Sequence, residues 1–347
     1  MTSRQGFEML ADDVVSKGRC TGCGACYAGC PFELVLDYTE GGPEVVGECK
    51  KCGICLRSCP RYRFDTAELE EHIFGRRRGP EDAFGIYLST HAAKAVSPEV
   101  ARVGQDGGVA TALLDNAFKA GLINGAVVSS TDSDRPWFPV PILLRRREGL
   151  TSAAGTRYCY SPGITVLRKA PADQFTHMGF VGTPCQVLAL RRMQKLSLRK
   201  AVGIDFILGL FCSESFSYEG LMLGKIQREL GISLADVEKM NIKGRMQVMI
   251  KGGKVVEIPL KEARPYAQPY CRFCDDFSAE FADISLGGIG LDGRTLTVVR
   301  TERGRKLLES AVETGEVEVK PLDEFRTALD LLVRLSANKR AKAQRMA

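Results

Sequence analysis

The stretch CTGCGACYAGCP, Cys20 to Pro31, returns as CKKCGICLRSCP, Cys49 to Pro60, with Cys49 nineteen residues after Cys30. Both copies follow the order C-x2-C-x2-C-x3-C-P. Structural zinc sites pair two C-x2-C knuckles or bring in histidines, and none of the chain's three histidines lies inside the repeat. The spacing is instead the one in which three cysteines wrap a 4Fe–4S cubane and the fourth, before the proline, ligates a second cubane. By that crossing rule one cluster takes Cys20, Cys23, Cys26 and Cys59, and the other takes Cys49, Cys52, Cys55 and Cys30. Gly22, Gly24, Ala25, Gly29 and Gly53 let backbone amides approach the sulfurs, which tunes the potential. Residues 1–62 are expected to form a ferredoxin-like electron wire, and what it connects must be read from the rest.

The chain has 347 residues, 44% of them hydrophobic, enough for one large core plus a small appended domain. No run approaches the roughly 20 apolar residues that cross a bilayer, and the start lacks the apolar centre of a secretory signal. A cytoplasmic location is expected, where thirteen cysteines indicate metal or redox chemistry rather than disulfides. Charge is divided. Residues 1–60 hold six Lys+Arg and eight Asp+Glu, a net of −2, and the remainder holds 42 and 34, a net of +8. Such a surplus suits an anionic coenzyme, although from charge alone ordinary solvated surface is the more economical reading. No basic stripe interleaved with aromatics points to nucleic acid.

After Pro60, RYRFDTAELEEHIFGRRRGPEDAFG reads as a helical connector, residues 63–85, with the Arg76–Arg77–Arg78–Gly79–Pro80 run as linker. Beyond it GIYLST, GAVVSS, MGFVGT, GIDFILGLF, ADISLGG and LTVVR alternate with helical patterns such as VATALLDNAFKAGL. That alternation predicts an α/β (α+β) domain over residues 86–335, a mixed or parallel sheet with helices. Residues 336–347 are basic and are expected as a solvated tail. Docking on an acidic subunit or anionic lipid is the other reading.

Three stretches of the large domain bear on chemistry. In GQDGGVATALLDNAF, Val109, Leu113, Leu114, Ala117 and Phe118 share a helical face, which sets Gln105, Asp106, Gly107 and Gly108 at a helix start and Thr111 in its first turn. Free amides there suit a phosphate or a flavin edge, adjacent glycines leave room for a flat ligand, and a capped buried helix is the plain alternative. In AAGTRYCYSPG, Arg157, Tyr158 and Ser161 suit a pyrophosphate clamp or ring cover as well as an ordinary loop. Cys159 has no partner at ligand spacing and reads as a spare thiol. Finally, VGTPCQ, GLFC and PYCRFCDDF supply Cys185, Cys212, Cys271 and Cys274, two of them ending predicted strands. Four thiolates fit a further 4Fe–4S cluster, a zinc site, or buried free cysteines.

GQDGGVATALL, AGTRYCYSP, VGTPCQ, GLFCSESFSYEGL and CRFCDDFSAEFADISLGGIG, in that order, resemble the coenzyme F420 hydrogenase/dehydrogenase beta-subunit family over residues 86–300. The resemblance implies FAD in the large domain beside a third cluster on Cys185, Cys212, Cys271 and Cys274, with reduced F420 giving hydride to the flavin. It implies FAD contacts from the Gln105–Gly108 loop, Thr111, Arg157, Tyr158 and Ser161, and from Gly182 and Thr183. His91, Lys94 and Arg264 are candidate F420 contacts, and His91 and His177 read more simply as structural histidines. No side chain is expected to act as a nucleophile. The family also implies partners, either the subunits of a membrane-bound dehydrogenase or soluble ferredoxin. Alternatives are service to a hydrogenase or formate dehydrogenase as the F420-reducing subunit, and a non-enzymatic polyferredoxin adaptor.

Overall fold

The computed structural model describes residues 6–171 and 174–346. The strands are β1 Leu36–Thr39, β2 Gly42–Val45, β3 Ser89–Ala95, β4 Gly125–Thr131, β5 Pro139–Leu144, β6 Met178–Gly182 and β7 Ile204–Leu210. They continue with β8 Val237–Ile242, β9 Arg245–Ile250, β10 Lys254–Pro259, β11 Ile284–Gly287, β12 Thr295–Val299 and β13 Val317–Pro321. Eight of them form one sheet, ordered β13-β3-β12-β11-β7-β6-β4-β5. Its centre, β11-β7-β6-β4, is parallel, and antiparallel strands finish both sides. The fold is thus the mixed α/β sheet that the alternating runs predict, with a small cysteine-rich domain at its N-terminal end.

Helices cover both faces of the sheet because its strands are apolar on both. In β7, Phe206 and Leu208 join a core with Leu113, Ala117, Leu308 and Ala311, whereas Ile204 and Ile207 pack with Val187, Leu190 and Met193. The first set belongs to helices Val109–Lys119 and Glu302–Glu313, and the second to helix Pro184–Lys195. Each such fully buried Leu, Ile or Phe contributes about 1.5–3 kcal/mol. Between β7 and β11 the chain leaves the sheet. It forms a π-type helical segment, Tyr218–Glu229, and the antiparallel meander β8-β9-β10, which share a separate core built on Leu221, Ile226, Met240 and Val248.

Several local expectations are corrected. The run GIYLST is largely not a strand: β3 starts at Ser89. The preceding carbonyls of Phe84 and Ile86 accept instead from the buried guanidinium of Arg300, at 3.1 and 2.9 Å. The Arg76–Arg78 run is no free linker, since Arg76 pairs with buried Asp82 and Arg78 with Glu70 and Glu280. The connector's helix, Thr66–Phe74, is capped by Asp65, whose carboxylate accepts from the amides of Ala67 and Glu68. The residues read as a loose tail continue helix Arg326–Gln344, with Ser336, Lys339 and Ala343 buried. The helical period there is apolar on one side only, which in the sequence resembles a frayed basic end. Among the described residues no helix is long and apolar enough to cross a membrane.

Candidate functional site

The two cysteine runs fold alike. Gly24 and Gly53 take left-handed backbone, φ 81° and 74°, and start the short helices Ala25–Gly29 and Ile54–Ser58. A side chain at either position would be strained. The thiols gather into two crossed sets. Cys20, Cys23, Cys26 and Cys59 line one cavity of about 350 Å³ and Cys30, Cys49, Cys52 and Cys55 another of about 320 Å³, open solvent included. Burial pushes the thiol of Cys55 up to about 12 and raises Cys23 and Cys26 as well, with neighbouring cysteine charges adding to the rise. Such thiols stay protonated until a metal takes the proton's place. Among the described residues no three His, Cys, Asp or Glu side chains converge on a single ion. The sulfurs stand around a space, the arrangement a multi-iron core occupies.

Two arginines of the large domain grip this module, one on each copy of the repeat. Arg192, on helix Pro184–Lys195, donates to the carbonyls of Arg57 at 2.7 Å, Tyr62 at 2.8 Å, Leu56 at 3.3 Å and Arg63 at 3.4 Å, and to that of Cys59. Arg168 donates to Tyr27 at 3.2 Å, to Phe32 at 3.0 Å and to Cys30. Burial brings the Arg192 guanidinium down to about 10, so it is charged at neutral pH.

Cys185 lies in the first turn after β6 and Cys212 follows β7, and these strands are parallel neighbours. The turn Pro269–Phe273 brings Cys271 and Cys274 to them. Cys185, Cys212 and Cys271 each feel the charge of Cys274, and burial pushes Cys212 up to about 12 and Cys271 to about 11. The amide of Ser215 donates to Cys271 Sγ at 3.4 Å, and Tyr160 Oη lies 3.7 Å from Cys185 Sγ. Cys23, in the first set, feels the charge of Cys185. The Tyr160 ring fills the interval: it meets Tyr270 edge-on at 5.9 Å and approaches Gly22. Thr183 precedes the first turn of the helix, its hydroxyl 3.4 Å from Cys185 Sγ, so Gly182 and Thr183 stand at this thiol set.

The loop Gln105–Gly108 precedes helix Val109–Lys119 as the sequence predicts. Its glycines meet demands of the chain itself. A Cβ on Gly107 would meet Ala93 O at 2.6 Å and Thr295 N at 2.8 Å, and Gly108 is left-handed, φ 68°, against Val100. Gln105 Nε2 donates to Asn241 Oδ1 at 2.9 Å, while Gln105 Oε1 is buried without a partner. Asp106 lies against Gly288, where a Cβ would fall 1.5 Å from Oδ2, and burial raises its carboxyl. Tyr158 is half-buried nearby, its hydroxyl raised by burial and by the Asp106 charge. Lys239 donates to Gly104 O at 2.8 Å, and Lys243 pairs with Asp292 at 2.7 Å. The cradle thus draws on the meander and the 287–293 loop, whose GGIGLDG glycines were the available signal for it. Thr111 is half-buried in the helix.

The Arg157 guanidinium is spent on Thr131 Oγ1 at 3.0 Å and on the carbonyls of Ser152, Ala153, Ala154 and Gly155. Ser161 Oγ is buried without a partner. His91 and Lys94 are three apart on β3 and so face opposite sides of the sheet. His91 bonds Ser89 Oγ at 2.9 Å, Lys94 pairs with Glu318 at 3.1 Å, and Arg264 reaches Glu214 at 3.6 Å. These three do not form one pocket wall.

Family profiles match most of the chain. The coenzyme F420 hydrogenase/dehydrogenase beta-subunit N-terminal profile covers residues 90–168 and the C-terminal profile residues 175–325. The chain belongs to the coenzyme F420 hydrogenase/dehydrogenase beta-subunit family. In this family member a 4Fe–4S dicluster profile matches residues 19–64, in front of the beta-subunit region. It is 37% identical to the coenzyme F420 hydrogenase subunit beta of Methanothermobacter thermautotrophicus, over 75% of this chain and 94% of that one. It is 32% identical to the coenzyme F420-dependent sulfite reductase of Methanocaldococcus jannaschii, over 92% of this chain and 50% of that protein. Among solved structures it resembles a chain of the F420-reducing NiFe hydrogenase complex of Methanosarcina barkeri with a TM-score of 0.73 and 36% identity, over 78% of this chain and 93% of the other.

Proposed function

We propose that this F420-linked redox subunit couples the hydride chemistry of coenzyme F420 to single-electron transfer, with FAD in the large domain and three 4Fe–4S clusters leading outward. The observation that carries this reading is the series of thiol sets: Cys185, Cys212, Cys271 and Cys274 face the Cys20 set across Tyr160, and the Cys49 set lies beyond. A bound flavin supplies the exchange between an obligate hydride carrier and one-electron acceptors.

The chain's own residues supply position and exclusion. Gln105 Oε1, buried and unpartnered, offers an acceptor to a ring N–H, and Asp106 and Tyr158 wall the same cradle. Arg157 holds its loop in register through four carbonyls. Arg168 and Arg192 hold the ferredoxin module, residues 1–62 in this reading, against the catalytic domain, residues 86–335, so that the relay has a fixed span. Electrons leave to a partner, either the other subunits of a dehydrogenase complex or a ferredoxin.

The test is anaerobic. The purified chain is reconstituted with iron, sulfide and FAD, and the F420 chromophore is followed with a viologen dye as electron partner. Coupled bleaching and recovery by the chain alone is the expected result. Loaded clusters and flavin with inert F420 refute the substrate, and absence of bound flavin favours an electron-transfer adaptor.

A further inference from the structure

Two cations, Lys339 buried and Arg61 half-buried with its Nε enclosed, converge on the Cys185, Cys212, Cys271 and Cys274 set from distant parts of the chain. Lys339, 8% exposed on helix Arg326–Gln344, donates its ammonium to the Cys212 carbonyl. Arg61, just past the Cys59–Pro60 turn, donates Nη1 to Phe273 O at 2.9 Å inside the C-x2-C turn. Its backbone amide points at Cys59 Sγ, 3.4 Å away, so one residue touches the third thiol set and the first.

Among the described residues neither cation has a carboxylate within ion-pair distance. On the same helix Arg340 pairs with Glu280 and Lys342 lies 3.9 Å from Glu214. Asp276 acts on Lys339 and Asp275 on Arg61 only through charge, without forming an ion pair. Arg61 Nε and Asp276 Oδ1 are both buried without hydrogen-bond partners. A cation taken out of water without a counter-charge is costly to desolvate. Neutral thiols give it nothing in return. A cubane on four thiolates carries a net charge of about −2 when oxidised and gains one more on reduction, which two cations nearly neutralise.

We propose that Lys339 and Arg61 are the charge-compensating residues of this third cluster site and set its reduction potential, Arg61 doing so jointly for the Cys20 set. The inference rests on the third-cluster reading above. Both are positioning residues that act through the sulfur ligands and touch no substrate.

The experiment is a potentiometric titration followed by EPR on the anaerobically reconstituted full chain, comparing wild type with Lys339→Met, Lys339→Arg, Arg61→Met and, as a surface control, Lys306→Met. Losing one buried positive charge disfavours the reduced cluster. In Lys339→Met the reduced-to-oxidised ratio of the third cluster at fixed potential falls at least tenfold, a shift of about 59 mV for one electron, while Lys339→Arg keeps the wild-type midpoint. Arg61→Met lowers the midpoints of both the third cluster and the Cys20-set cluster. Loss of the third cluster in Lys339→Met with retention in Lys339→Arg also supports the role of charge. An unchanged midpoint in Lys339→Met, or an equal shift in Lys339→Arg, overturns the proposal. Wild-type protein showing only two clusters, with the four cysteines open to alkylation, overturns the third-cluster reading itself and is told apart by that thiol count.

Discussion

Replacing Arg192 by Met keeps the length and the apolar stem of the side chain and removes its donors. Of the five carbonyls it serves, those of Leu56 and Cys59 are bonded in fully buried surroundings. A hydrogen bond from a charged donor contributes about 1.5–3 kcal/mol and a buried acceptor left alone costs a comparable amount. Two such acceptors give about 3–6 kcal/mol, reduced toward about 3 because a buried guanidinium is itself costly to desolvate. Arg168 makes the matching contacts on the other repeat in part-buried and exposed surroundings, so Arg168→Met costs about 1 kcal/mol. The assay is anaerobic urea unfolding followed by the visible absorbance of the loaded N-terminal module. With a slope of about 1–3 kcal/mol per M, Arg192→Met lowers its midpoint by roughly 1–3 M, and Arg168→Met by under about 1 M. Arg192→Lys recovers only part, since a single ammonium cannot reach carbonyls spread along the chain from Leu56 to Arg63. An Arg168 variant as damaged as the Arg192 variant, or an Arg192→Met protein as stable as wild type, refutes the burial argument.

Further outcomes are expected. Cys271→Ser removes the third cluster while sparing the N-terminal pair, seen as a loss of about one third of the bound iron. Gly288→Ala forces the Asp106 carboxylate aside, because the new Cβ would lie 1.5 Å from Oδ2; flavin content falls, and stability drops by about 1–3 kcal/mol in a melting curve. Asp106→Asn stabilises the flavin-free protein at neutral pH. Burial raises this carboxyl in the folded state, so ionisation penalises folding as pH rises past the unfolded value near about 3.9. The variant's advantage is absent at low pH and grows toward neutrality, and an advantage that shrinks with pH refutes the sign. Asn tolerates the left-handed backbone found there, φ 49°.

The cysteine pattern was legible because spacing alone constrains how a short chain can surround a cubane, and the parallel centre of the sheet was legible in MGFVGT and GIDFILGLF. Arg61, Tyr160, Lys239, Asn241 and Lys339 were not. Each acquires its neighbours only through tertiary contact, and none has a local period or spacing that marks it. The meander hid for a related reason: in RMQVMIKGGKVVEI charged and apolar residues mix because one side of β9 and β10 faces solvent. The glycines of Gln105–Gly108 also answer a demand the sequence does not show, the close approach of Ala93, Thr295 and Val100.

The meander and its π-type helix leave the sheet after Cys212 and return just behind Cys271 and Cys274, with the Cys212 amide bonded to Phe277 O at 2.8 Å. A core bound there would cross-link the two ends of that excursion, as a disulfide closes a loop, and for a loop of this size the entropy model gives roughly 4 kcal/mol. The meander's far end holds Asn241 against Gln105. Metal loading at the base of the excursion would then also stiffen its tip, so flavin affinity and iron content should rise and fall together.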